Sequence, residues 1–256
     1  MMRVTFLGTG TSHGVPMMTC GCAVCRSTDP RNKRLRPSVL LETETTTVLL
    51  DATPDLRTQA LRVGLRKVDA VVLTHTHADH VLGLDDLRVF TQATVRPMPI
   101  YGSRQTLADV QRIFAYACTD KPKWASLPSF ALREIEPVVE FEIGDLKFLP
   151  VDLPHGWMSV LGFVVNGKFA YLTDCNAVPP AVVQQLRGVP ALALDGLRYR
   201  EHPTHLTISQ AVAVAEEIRA GRTYLTHLCH EVDHAEAEAK LPEKVRIAYD
   251  GLQIDL

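Results

Sequence analysis

No stretch of this chain stays apolar for the roughly 20 residues that a membrane-spanning helix needs. Neither sign of charge is in excess: 27 Lys and Arg stand against 29 Asp and Glu, a formal net charge of −2. That balance argues against an obligate nucleic-acid binder, which carries a strong basic surplus. The opening residues, Met-Met-Arg-Val-Thr-Phe-Leu-Gly, enter a strand pattern at once and lack a signal-peptide apolar region and cleavage site. A cytoplasmic location, with no membrane partner, is the resulting expectation. No Gly-Lys-Ser/Thr follows the glycine-rich run Gly8–Gly14, so it is not a P-loop. A tight turn is expected there, with no role assigned to His13. Domain boundaries, repeats and low-complexity tracts are also lacking. The 256 residues therefore read as one domain, 1–256.

What the chain does hold is concentrated in residues 68–83. A short apolar run, Val68–Leu73, reads as a buried strand. Directly after it come His75, His77, Asp79 and His80, spaced H-x-H-x-D-H. In extended chain His75 and His77 point to the same side, because side chains alternate with period two. Asp79 suits the first turn of a following helix. One ridge can thus offer two imidazoles to one cation and a carboxylate with an imidazole to a second.

A second cluster is Cys20, Cys22 and Cys25, spaced C-x-C-x-x-C within a loop at about 19–36. Thiolates this close suit one tetrahedral zinc that takes a fourth ligand from elsewhere, and His230 is the candidate. Cys175 and Cys229 read as core residues. Arg31, Lys33, Arg34 and Arg36 form a short basic run, read as a solvated loop.

Around these motifs the pattern predicts strands over 2–8, 38–43, 46–51, Met98–Tyr101, Leu146–Leu153, Val160–Val165, Lys168–Leu172 and Ala191–Leu194, with final strands in 245–255. Helices are expected up to Val63 and over Gln105–Ala115, Pro179–Leu186, Thr207–Arg219 and 233–240. Residues 119–130, with Trp124 and Phe130, read as an irregular insertion. Further candidate ligands stand at strand exits: His155 after Leu146–Leu153, Asp174 after the hairpin across Asn166-Gly167, and His227 after Tyr224-Leu-Thr. Asp51, at another strand end, reads as support for the histidine loop.

The run H-x-H-x-D-H, followed in order by His155, Asp174 and His227, resembles the metallo-β-lactamase superfamily. The resemblance implies an α/β fold: an αβ/βα four-layer sandwich with two sheets face to face. It implies His75, His77 and His155 on one metal, Asp79, His80 and His227 on a second, and Asp174 between them. The cysteine cluster with His230, and the run His202-Pro-Thr-His205-Leu, resemble the branch acting on phosphoribosyl cyclic phosphate in the carbon–phosphorus lyase pathway. That branch binds a structural zinc through the positions of Cys20, Cys22, Cys25 and His230, and contacts the substrate phosphate at the position of His205. His202 reads as a surface residue.

The implied activity is a metal-dependent phosphodiesterase on a small cyclic or nucleotide-like phosphodiester. The implied cofactors are two divalent ions, zinc or manganese, and one structural zinc. Such a metal pair lowers the pKa of a bridging water, giving a hydroxide that attacks phosphorus. Asp79 would orient it, and His205 would stabilise or protonate the leaving oxygen. The resemblance also implies a homodimer. Transfer-RNA 3′ processing endonuclease, thioesterase or lactamase-like hydrolase, a pyrroloquinoline-quinone biosynthesis-like protein and a non-catalytic scaffold stay open as alternatives.

Overall fold

The computed structural model describes residues 1–94, 96–119 and 127–256. Six early strands build most of one sheet: β1 (Arg3–Gly8), β2 (Ser38–Glu42), β3 (Thr47–Leu50), β4 (Ala70–Val72), β5 (Met98–Gly102) and β6 (Phe130–Glu134). The next seven build a second: β7 (Phe141–Ile143), β8 (Leu146–His155), β9 (Met158–Val165), β10 (Phe169–Leu172), β11 (Ala191–Asp195), β12 (Arg222–Thr226) and β13 (Val245–Ile247). Then β14 (Gln253–Asp255) returns to pair with β1, so each sheet has seven strands. Both sheets are mixed. In the first, the pairs from β3 to β6 are parallel; in the second, the pairs from β10 to β13 are.

The strands are apolar on both faces because both faces are covered. Along β4, Ala70 and Val72 face the opposite sheet while Val71 points to the outer layer. Along β9, Leu161, Phe163 and Val165 face inward and Val160 and Val164 outward. Between the sheets lie Phe6, Phe148, Phe163, Phe169 and Tyr171, all fully buried. Helix α1 (Ala23–Arg26) packs with Val15 in a small cluster of its own. Outside the first sheet the helices are α2 (Leu56–Val63), α3 (Ala78–Val81), α4 (Arg88–Thr94) and α5 (Arg104–Ile113); Leu56 of α2 and Leu107 and Val110 of α5 reach its core. Outside the second are α6 (Pro180–Gln185), α7 (Ile208–Ile218) and α8 (His234–Glu238), the apolar stripe of α7 being Ile208, Ala211, Ala215 and Ile218. Thr207 and Gln210 close a reciprocal capping box at the start of α7. The layers are helix, sheet, sheet, helix. Among the described residues no helix is long and apolar enough to cross a membrane.

Three expectations change. The strand from Leu146 runs on through Pro150 and Pro154 to His155. Both prolines face away from β9, where their carbonyls accept the Val138 and Asn176 N–H groups, so the missing donors cost no ladder bond. The final strands over 245–255 divide between the two sheets. Buried Asp250 fixes the crossing by accepting from Thr9 N and Oγ1 and from Leu35 N. The irregular segment within 119–130 falls mostly outside the described residues, Trp124 included. Its last residue, Phe130, opens β6 and meets Phe114 edge-on at 6.0 Å.

Candidate metal centre

Every candidate ligand emerges where a strand stops. His75 and His77 follow β4, and His77 is the N-cap residue of α3, which carries Asp79 and His80. His155 ends β8, Asp174 follows β10, and His227 follows β12. At Asp51, Asp174 and His227 the backbone takes φ of 61°, 54° and 59°. Non-glycine residues seldom adopt this left-handed region, and each instance costs on the order of 1–3 kcal/mol. At Asp174 and His227 the side chain enters the ligand clusters, while Asp51 sits behind them against His80 and Thr74.

The structure brings two sets together. The ligand atoms of His75, His77, His155 and Asp174 lie within 4.8 Å of one another, and so do those of Asp79, His80, Asp174 and His227. Asp174 belongs to both: its Oδ1 is 3.3 Å from His80 Nε2, and its Oδ2 is 3.3 Å from His227 Nε2 and 3.9 Å from His75 Nε2.

Outer partners fix which nitrogen faces the cleft. His155 Nδ1 donates to the Thr204 carbonyl at 2.8 Å. His80 Nδ1 meets Asp51 Oδ2 at 2.8 Å, and His75 Nδ1 meets Thr74 Oγ1 at 2.9 Å. Thr74 in turn donates its N–H and hydroxyl to Asp51. With Nδ1 occupied, Nε2 offers its lone pair inward. Buried Nε2 of His75, His80 and His227, and Oδ2 of Asp79, have no hydrogen-bond partner. Such unpartnered buried ligand atoms converging on one space fit divalent cations better than any neutral packing.

The electrostatics divide the sets. Burial lowers the pKa of His75, His77 and His155, which keeps them neutral as ligands must be. Burial also acts against His80 and His227, but the surrounding carboxylates outweigh it. Asp174, Asp79 and Asp51 raise His80, and Asp174 and Asp79 raise His227 to about 9. The same imidazoles hold Asp79 and Asp174 far below the ordinary carboxylate range despite burial.

Beside these sets stands His205, buried, its Nδ1 2.7 Å from Asp195 Oδ2. Its ring stacks on His227 at 4.7 Å and lies 4.9 Å from that of His155. Asp195 ends β11, and the same oxygen accepts the Cys175 N–H at 2.9 Å. That carboxylate orients His205 through Oδ2; its buried Oδ1 has no hydrogen-bond partner, and the ligand atoms of Asp195, His205 and His227 also lie within 4.8 Å of one another. Sequence reasoning missed Asp195, although a carboxylate at a strand exit was the signal that singled out Asp174. Thr74 and Thr204 carried no signal. His202 is only partly exposed, its ring 5.1 Å from that of His205. His13 is exposed on the Gly8–Gly14 loop and joins neither set of clustered ligand atoms.

The second cluster also assembles. The ligand atoms of Cys20, Cys22, Cys25 and His230 lie within 4.8 Å of one another, with His230 Nδ1 3.3 Å from Cys20 Sγ and 3.5 Å from Cys22 Sγ. Backbone N–H groups of Cys25 and Met17 point at the Cys22 and Cys25 sulfurs. The first of these, with His230, pulls the Cys22 thiol down to about 6, whereas burial pushes Cys25 up to about 11. A soft set of three sulfurs and one nitrogen fits tetrahedral zinc.

The basic run beside the cluster is not a solvated loop. Arg34 is buried and donates to the carbonyls of Cys229 and Val232 and to Asn32 Oδ1. Arg31 pairs with Asp29, Arg36 with Asp55, and Lys33 donates to the Cys25 carbonyl. Gly10 runs alongside Leu228, with Thr11 N and Leu228 N bonded across. A Cβ on Gly10 would stand 2.9 Å from Arg34 Cβ, so only glycine lets the loop lie this close.

Residues 46–228 match the family described as the beta-lactamase superfamily domain. The chain belongs to that superfamily. Among solved members, a diphosphatase of the PhnP family is 40% identical, with a TM-score of 0.92 over 99% of this chain and 96% of that one. Zinc-bound PqqB from Methylobacterium extorquens, at 22% identity, shares the superfamily fold with a TM-score of 0.82 over 99% of this chain and all of its own. An octanoyltransferase of Porphyromonas gingivalis is 39% identical over 98% of this chain, which spans 51% of that relative's length. The superfamily match and the four-layer architecture agree, and both sets of candidate ligands lie on the strand ends of that architecture.

Proposed function

We propose that the protein is a metal-dependent phosphodiesterase acting on a small phosphodiester. The observation that carries this reading is the Asp195–His205 pair, set against the stacked His227 and beside His155, at the edge of both candidate cation sets. Carbonyl hydrolysis has less use for a second, carboxylate-oriented imidazole directed at an anion. The PhnP-family diphosphatase, which acts on phosphorus, supports the same choice.

His75, His77 and His155 would hold one cation, Asp79, His80 and His227 the other, and Asp174 both. Cations so held supply Lewis acidity and a water of lowered pKa. Asp79, buried with a free Oδ2, is placed to orient the attacking water. Thr204 fixes His155, and Asp51 with Thr74 fixes His80, so the ligand geometry is set before substrate arrives. Asp195 keeps a proton on His205 Nδ1, and Nε2 is the atom that meets a phosphoryl or leaving oxygen and gives it a proton. Cys20, Cys22, Cys25 and His230 would hold a structural zinc. This chain spans about half of the Porphyromonas octanoyltransferase, so we do not carry acyl transfer over to it.

The test is hydrolysis of bis-p-nitrophenyl phosphate against p-nitrophenyl phosphate, with added manganese or zinc and a chelated control. Diester cleavage that needs metal, with little monoester cleavage, is expected. Asp195→Asn should lower kcat by about 10²-fold or more, as loss of a positioned acid does, while metal content holds. If metal-loaded protein cleaves no diester, the phosphodiesterase reading fails and thioester or lactam hydrolysis takes its place.

A further inference from the structure

Trp157 is 92% exposed, more than any other large apolar side chain described. It sits at the tip of the β8–β9 hairpin, where His155 pairs with Met158 across Gly156 and Trp157. The glycine takes φ +64°, as a two-residue hairpin with glycine first requires. Trp157 is thus two residues from His155, its Cα within about 7.6 Å of that ligand's.

The tip is held rigidly. Gly156 N donates to Asn176 Oδ1 at 3.1 Å, two residues past Asp174. A Cβ on Gly156 would stand 2.7 Å from Thr204 Cγ2, so the hairpin tip presses on the 202–205 loop. That loop carries His202, whose Nδ1 is 3.2 Å from Thr204 Oγ1, and His205. The backbone of the hairpin tip therefore packs on the loop that carries His202 and His205, which sets Trp157 at the rim of the cleft.

An indole fixed on a short hairpin gives a flat, rigid surface at little conformational cost. The loop beneath the tip carries His202, Thr204 and His205 rather than aliphatic side chains, which suits a planar polar ring and not an acyl chain. Among the described residues an apolar groove lies elsewhere, between α2 and α4, lined by Leu56, Leu61, Val89 and Phe90.

We infer that Trp157 is the stacking platform for a nucleobase, so that the substrate is a nucleotide-type diester whose phosphate lies at the metal sets. This rests on the phosphodiesterase reading and narrows it. Trp157 is a specificity-determining residue and takes no part in bond breaking.

The chain has two tryptophans, so Trp124→Phe leaves Trp157 as the sole indole. Metal-loaded Trp124→Phe protein is titrated with adenosine monophosphate and with ribose 5-phosphate, following indole emission and, by calorimetry, affinity. Adenosine monophosphate should quench saturably and bind about tenfold or more tighter, the low end of one base–aromatic stack. Ribose 5-phosphate should not quench. Trp157→Ala in wild-type background should erase the advantage of the base while leaving ribose 5-phosphate affinity unchanged, and Trp157→Phe should keep most of it. Equal binding of the two ligands, or an advantage that survives Trp157→Ala, would overturn the assignment. Cleavage of the chromogenic diester without any base advantage would remove the platform alone; a base advantage without diester cleavage would remove the phosphodiesterase reading and leave Trp157 as a base-binding residue.

Discussion

At the residue scale, the protonation of the candidate ligands is decided by which carboxylates each one meets. His227 is raised to about 9, and His80 is raised also, because Asp174 and Asp79 face both. In metal-free protein these two rings hold protons at neutral pH that an entering cation must displace. His75, His77 and His155 are lowered by burial and have none to give. A raised pKa favours the protonated form, so cation affinity should climb as pH rises toward 9 and level off above it. Zinc titrated into chelator-stripped protein, in buffers of different ionisation enthalpy, should release about two protons at pH 7.5 from this pair and fewer at pH 9.5. Absence of proton release at pH 7.5 would show that the carboxylates do not hold those imidazoles charged. The same raised pKa stabilises metal-free protein below about pH 6.5, and that contribution is lost as pH rises through 9.

At the scale of elements, one loop ties the two clusters together. Residues 227–232 supply His227 to the cleft and His230 to the cysteines, and Arg34 holds the carbonyls of Cys229 and Val232. Arg34→Met keeps the length of the side chain but leaves the Val232 carbonyl without its donor and takes one of two donors from the Cys229 carbonyl and from Asn32 Oδ1. A loss of about 1–3 kcal/mol is expected, the cost of leaving a buried acceptor unpaired. Urea denaturation reads it directly, and zinc bound by the cysteine cluster should fall with it. Unchanged stability would mean that water replaces the guanidinium. The basic run looked like a solvated face in the sequence because charge density alone carries no record of carbonyls nearly 200 residues away.

At the scale of the molecule, the two sheets present their strand ends to a single cleft, so ligands from both must be held together there. Cations bound there stabilise the native state over the unfolded chain. For a site filled at 100 times Kd the gain is about 2.7 kcal/mol. In a chain of 256 residues that corresponds to a Tm shift on the order of 5–10 °C. Exhaustive chelation should lower Tm by that amount, and restoring zinc or manganese should recover it. A Tm indifferent to chelation would mean that cations contribute nothing to holding the sheets together.

The sequence by itself determined the strands, the hairpin across Asn166-Gly167, the α7 cap at Thr207 and the shortlist of candidate ligands. These are local properties: period two in strands, turn chemistry at Asn-Gly, and histidine spacing that one ridge can satisfy. Tertiary structure alone decided the rest. It joined Asp195 to His205, Thr204 to His155 and Asp51 to His80, because hydrogen-bond partners from different strands leave no periodic trace. It also divided the last two strands between sheets, buried Arg34, and set the hairpin tip that bears Trp157 against the loop that carries His205. Strand ends meet only when the sheets pack, and packing is set by both apolar faces at once, which no short window of sequence contains.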